Sequence, residues 1–100
     1  MSDFANQLID SVKATLRVTG DDFNEEIASY IDTCAADLQN AGILPKFFSV
    51  GGDPQILQAV RWYCLSVFGL YNSDSEKYMR SYSSLKSTLC TQRKYTVEEG

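Results

Sequence analysis

The sequence contains no histidine, and its 100 residues include only three cysteines. Histidine is the commonest general base and the commonest metal ligand in proteins, so its absence argues against both kinds of site. The cysteines, Cys34, Cys64 and Cys90, are odd in number and widely spaced, without a Cys-x-x-Cys pair. This pattern argues against a disulfide framework and against a zinc site. We therefore expect reduced cysteines, with Cys34 and Cys64 packed in the core as small apolar side chains.

Long apolar segments and recognisable catalytic motifs are also missing. No apolar run approaches the ~20 residues that a membrane-spanning helix needs, and the N-terminus has no basic flank followed by an apolar stretch, so we expect neither a membrane span nor a secretory signal. The only glycine pair precedes Asp53, a carboxylate that would repel a bound phosphate. Asp10, Asp32 and Asp37 fall on polar helix faces, where carboxylates are usually solvated. The sequence predicts no enzyme, no cofactor and no metal.

Positive charge is scarce. The chain carries nine Lys and Arg against 13 Asp and Glu, which gives a net charge of −4, and the pI is about 4.6. Its cations are scattered rather than gathered in a stripe, whereas proteins that read nucleic-acid sequence normally present a basic surface. This composition argues against a sequence-reading nucleic-acid binder.

Helical periodicity dominates what is present. Apolar residues recur every three or four positions in four segments, near residues 3–18, 22–41, 54–71 and 75–90. Each segment begins at a capping signal: Ser2, Asp22 with Glu25, Asp53 with Pro54, and Ser73 with Glu76. The third segment is apolar on most of its circumference, which is typical of a central helix. We predict an all-α bundle of about four helices in one domain, residues 1–90, followed by an extended polar tail, residues 91–100.

Five aromatic residues are candidates for an oligomer or partner interface. Phe47 and Phe48 lie in an apolar loop, residues 43–52, that shows no helical period. Tyr78 and Tyr82 are one helical turn apart, and Tyr95 is the only aromatic residue of the tail. Exposed aromatic side chains mark interaction sites. The alternative is that the loop folds back to cap the bundle and that Tyr78 and Tyr82 rim its core.

An ordered set of short motifs along nearly the whole chain resembles a known family. The motifs are Asp21-Asp22, Ala35-Ala36-Asp37-Leu38, Ala41-Gly42-Ile43, Asp53-Pro54-x-Ile56-x-x-Ala59-Val60, Tyr63, Phe68-Gly69-Leu70-Tyr71, Ser75-Glu76-Lys77-Tyr78, Ser81 through Lys86, Leu89 and Tyr95-Thr96. Together they resemble the small gp6-like head–tail connector proteins of tailed bacteriophages and prophages. No single motif is diagnostic, and the 43–52 loop has no clear counterpart.

The resemblance implies a structural, non-enzymatic subunit that assembles into a ring beneath the portal after genome packaging. The ring would extend the DNA channel and join the capsid to the neck or tail. The implied partners are other copies of the chain, the portal protein and a downstream neck, stopper or tail-completion protein. DNA would pass through without sequence-specific binding, and no membrane is involved. The implied location is the virion neck, and the host cytoplasm during assembly.

Two other functions remain compatible with the sequence. The first is a small helical adaptor or regulatory module that binds one protein partner as a monomer or dimer. The second is a nucleic-acid-binding module that uses Arg80, Lys86, Arg93 and Lys94. Large oligomers would distinguish a ring former from the adaptor, and an absence of salt-dependent DNA retention would exclude the nucleic-acid module.

Overall fold

A computed structural model describes residues 2–49, 52–68 and 74–98. Within these ranges every regular element is helical and there is no strand, so the predicted all-α fold is confirmed. The main helices are α1 (Asp3–Leu16), α2 (Asn24–Asn40), α3 (Pro54–Val67) and α4 (Ser75–Cys90); a 3₁₀ turn (Pro45–Phe48) and a short α5 (Arg93–Thr96) complete the set.

Helices α1 and α3 begin as the capping signals predict. The Ser2 hydroxyl accepts the amide N–H of Ala5 at 3.0 Å. The Asp53 carboxylate accepts the amides of Gln55 and Ile56 at 2.9 and 3.1 Å, and Pro54 occupies the first turn. Both carboxyl and hydroxyl caps satisfy amides that have no partner inside the helix.

Helix α2 begins differently from the predicted Asp22–Glu25 capping box. Its N-cap residue is Phe23, which makes no side-chain capping bond. The Asp21 carboxylate instead accepts bonds from the Lys13 ammonium and the Asn24 amide, and the Phe23 ring packs edge-on against Phe68. These contacts fix a turn before α2, so the helix starts two residues later than expected.

The ends of the helices are partly as expected. Gly42 follows α2 with φ +112°, a conformation that favours glycine. Helix α1 ends earlier than expected, because Arg17 takes the left-handed conformation at φ 60°. Helix α3 ends at Val67, because Phe68 takes an extended conformation at ψ 130°, so it is shorter than the predicted 54–71. Residues 69–71 and Ser73, the predicted cap of α4, lie outside the described residues.

Helix α3 lies at the centre, packed against α1, α2 and α4. The core is filled by apolar side chains from every helix, and none of its fully buried residues is charged. Its largest fully buried side chains are Tyr82, Tyr95, Ile27, Ile31, Leu38, Ile43, Ile56 and Leu89. No helix in the described part of the chain is long and apolar enough to cross a membrane.

The segment after α4 differs from the expected extended polar tail. Residues 93–96 form α5, and Tyr95 within it is completely buried against its own subunit. The apolar surface that Tyr95 buries is therefore what holds this otherwise polar segment against the subunit.

Candidate assembly interface

The loop with the paired phenylalanines and the segment after α4 hold each other. The amide of Leu44 donates to the carbonyl of Tyr95 at 2.8 Å, and the Phe47 and Tyr95 ring centroids are 4.8 Å apart. Phe48 turns to the other side and meets the Phe4 ring edge-on at 5.4 Å. The loop thus closes one end of the bundle and links α1, α3 and α5.

Tyr95 is tied to the start of α3 by its hydroxyl. The Tyr95 hydroxyl lies 3.0 and 3.1 Å from the two Asp53 carboxylate oxygens, and it donates to that carboxylate. Burial, and then the hydrogen bond to Asp53, raises the pKa of Tyr95 to about 12. The Lys94 ammonium adds an ion pair to Asp53 at 3.6 Å. Asp53 therefore caps α3 and anchors the C-terminal segment with the same carboxylate.

Tyr82 on α4 makes comparable contacts, with α3 through its ring and with α2 through its hydroxyl. Its ring packs edge-on against Tyr63 at 5.2 Å, and its hydroxyl donates to the Asp37 carboxylate. The Lys86 ammonium reaches the same carboxylate oxygen at 3.0 Å. The hydrogen bond from Tyr82, aided by Lys86, holds the pKa of Asp37 below its usual value against the opposing effect of burial. Asp37, expected to be merely solvated, is a link between helices.

The five interface candidates fall into two groups. Phe48, Tyr82 and Tyr95 are buried inside one chain, at 9%, 2% and 0% exposure. Phe47 and Tyr78 are half-buried and keep part of their rings at the surface. The structure does not gather the five into one patch: Tyr78 and Tyr82 lie on α4, and the others lie at the end closed by the loop. Their role between subunits stays a prediction, and it rests now on Phe47 and Tyr78.

We expect the two phenylalanines to respond differently to truncation. Phe48→Ala should lower the free energy of unfolding by about 3 kcal/mol, because it empties a buried site beside Phe4. Phe47→Ala should cost clearly less, because its ring is partly exposed. Urea titration of both variants, with sedimentation of the same samples, checks this. Equal losses of stability would mean that both rings serve the subunit core alone.

The core cysteines are placed as predicted. Cys34 and Cys64 are both free and completely buried, and Cys90 is partly exposed. Burial raises the pKa of Cys64 to about 12 and also raises that of Cys34. The described residues hold no cluster of three or more metal-ligating side chains.

Thiol labelling should separate the three cysteines. The thiolate is the reactive form, so burial and a raised pKa both suppress reaction. In the native protein we expect iodoacetamide to modify Cys90 first and Cys34 and Cys64 only slowly, with all three reacting rapidly in denaturant. Mass spectrometry of timed samples measures this. Fast native modification of Cys34 and Cys64 would contradict their burial.

A groove between α3 and α4 was not singled out by sequence reasoning. It has a volume of about 460 Å³, and its lining includes Trp62 and Leu85 with Lys77 and Arg80. The sequence feature that could have indicated this groove is the excess of apolar residues on α3. One of them, Trp62, is only half-buried against α4.

Comparison with known families decides what kind of protein carries these surfaces. A family model described as "Phage connector protein" matches residues 8–96. The chain is a member of the phage connector family. No curated protein and no solved structure matches it.

Membership confirms the resemblance to head–tail connectors; the finer gp6-like assignment stays a prediction. A phage connector protein works in assembly with other phage head and tail proteins, and the family is a structural one. In this connector the match extends through α5, so the C-terminal segment with Tyr95 belongs to the family's domain rather than lying outside it.

Proposed function

We propose that this connector is a ring-forming head–tail subunit. Copies of the chain assemble beneath the portal, extend the DNA channel and join the capsid to the neck or tail. The observation that carries the proposal is the family match over residues 8–96. A subunit of 11.2 kDa with unlike surfaces on different helices suits heterologous contacts, which close into rings when the rotation between copies allows it.

The charge of the chain supports a role as a conduit. Lys and Arg contacts bind DNA phosphates by releasing counterions, and each contact adds to the hold on the duplex. A chain with net charge −4 offers few such contacts, so DNA can slide through without sequence-specific binding. The partners are then other copies, the portal protein on one side and a neck, stopper or tail-completion protein on the other. Its place is the virion neck, reached from the host cytoplasm during assembly.

The test is the mass of the assembly and its shape. Native mass measurement over a range of concentrations, followed by negative-stain imaging, should show closed rings, either alone or when the purified portal protein is added. A DNA-retention assay at low and high salt runs in parallel. Monomers or dimers under all these conditions would favour the adaptor function instead, and salt-dependent retention of DNA would favour the nucleic-acid module.

A further inference from the structure

Charge is segregated between two helices. Helix α2 carries four carboxylates, and no Lys or Arg occurs anywhere in residues 18–45. Helix α4 carries three cations and one carboxylate, Glu76. The surface around α4 is therefore locally positive although the chain is acidic. The surface around α2 carries most of the excess negative charge.

The positive side contains the groove between α3 and α4. Trp62 and Leu85 give it an apolar part, and Lys77 and Arg80 add two cations, with no carboxylate among its described lining residues. Across the described ranges, Lys77 and Arg80 form no ion pair or hydrogen bond, whereas Lys13, Lys46, Lys86 and Lys94 are each paired within the subunit. Trp and Arg are the residues that most often dominate binding energy at interfaces.

The negative side is the outer face of α2. Glu25, Ser29, Asp32 and Ala36 lie beside the buried stripe of the helix, along a shallow depression of about 590 Å³, and Asp32 also accepts the Ser2 hydroxyl at 2.6 Å. Two carboxylates thus flank side chains small enough to let another surface approach closely. This face is complementary to the groove in charge.

The two surfaces lie at different places on the subunit. Lys86 on α4 reaches Asp37 on the inner side of α2. At 100° per residue, the groove residues Ser81 and Thr88 lie on the other flank of α4, away from α2. A contact between the groove of one copy and the outer α2 face of the next is therefore heterologous, and it can be repeated from copy to copy.

We propose that the α3–α4 groove, with Trp62, Lys77 and Arg80, receives the acidic outer face of α2 from a second copy of this chain. The proposal rests on the proposed ring and names the two surfaces that build it. Trp62 supplies the buried anchor, and the cations meet Glu25 and Asp32 of the neighbouring copy.

Charge reversal tests the pairing. The groove variant is Lys77→Glu with Arg80→Glu, and the α2 variant is Glu25→Lys with Ser29→Lys; all four side chains are exposed and make no side-chain bond within the described residues. Each variant alone should lose oligomers at concentrations where the unchanged chain forms them, because like charges then face each other. An equimolar mixture should recover mixed oligomers, counted from the alternating dimer upwards, since both contacts between alternating copies are attractive again.

The matched control for the groove variant is Arg17→Glu with Arg93→Glu. It makes the same change in net charge as the groove variant, at exposed positions outside the groove. It should assemble like the unchanged chain, and circular dichroism should show all variants folded. Raising the salt from 50 to 500 mM should weaken oligomers of the unchanged chain, because surface charges are then screened.

Three outcomes overturn the pairing. Rings that persist in the groove variant would remove the groove from the interface and leave the ring intact. Loss without recovery in the mixture would mean that α2 is not what the groove binds. A chain that stays monomeric at every concentration, and with the portal protein, would overturn the ring and the pairing together.

Discussion

Tyr95→Ala is expected to lower the free energy of unfolding of the isolated subunit by about 3–5 kcal/mol, as for other large aromatic truncations in cores. The side chain is completely buried, packs on Phe47 and donates its hydroxyl to Asp53. Its removal leaves a cavity and frees the C-terminal segment. A fall in the melting temperature by 10 °C or more, measured at a concentration where the chain is monomeric, would correspond to this loss.

Tyr95→Phe is the matched control, because it keeps the ring and deletes only the hydroxyl. Asp53 keeps its bonds to the amides of Gln55 and Ile56, so the expected cost is about 1.5–3 kcal/mol for one hydrogen bond to a charged group. An alanine variant that melts like the unchanged chain would place Tyr95 outside the subunit core and return it to the interface role that its position in the sequence suggested.

Tyr82→Ala should be comparably damaging, at about 3–5 kcal/mol. Its ring is 2% exposed between α3 and α4 and packs against Tyr63. Chemical denaturation of Tyr82→Ala and Tyr82→Phe at neutral pH measures the two parts of this contribution, the ring and the hydroxyl. A small loss for the alanine variant would show that the ring is not part of the packed core.

The hydroxyl of Tyr82 should also change how the free energy of unfolding depends on pH. The pKa of Asp37 is lowered in the folded chain, first by the bond from Tyr82. A carboxyl group whose pKa is lower in the folded chain than in the unfolded chain stabilises the fold at pH values above its unfolded pKa of about 3.9. This stabilisation is lost as the pH falls through the folded pKa. The effect is modest because the Asp37 side chain is 43% exposed to water. Tyr82→Phe should therefore lose less stability than the unchanged chain between pH 7 and pH 3.

The elements that follow local rules were predictable from the sequence. The apolar stripe of each helix, the Ser2 cap and the Asp53-Pro54 start depend on residues within one or two turns, so their spacing predicts them. The burial of Cys34 and Cys64 follows from the same stripes, because both lie among apolar residues at helical spacing.

The features that were missed depend on contacts distant in sequence. Tyr95 lies 42 residues from the Asp53 carboxylate, and Tyr82 lies 45 residues from Asp37. No periodicity within a helix indicates such a partner, so the sequence placed Tyr95 in a polar tail as a contact to another copy and Asp37 on a solvated helix face. The α2 start shifted for a similar reason, since Asp21 is shared with Lys13 of α1.

The Asp53 carboxylate accepts bonds both from the first turn of α3 and from the Tyr95 hydroxyl, so it joins segments that are far apart in the chain. The amides of Gln55 and Ile56 donate to this carboxylate, and the Leu44 amide donates to the carbonyl of the residue whose hydroxyl binds it. Release of α5 breaks the Leu44 bond and the Tyr95 hydroxyl bond to Asp53 together, so exchange at the Leu44 amide requires the same local opening as exchange within α5. The Leu44 amide therefore cannot be more protected from exchange than the four residues of α5 that secure it, whereas the Gln55 and Ile56 amides keep their cap when α5 opens.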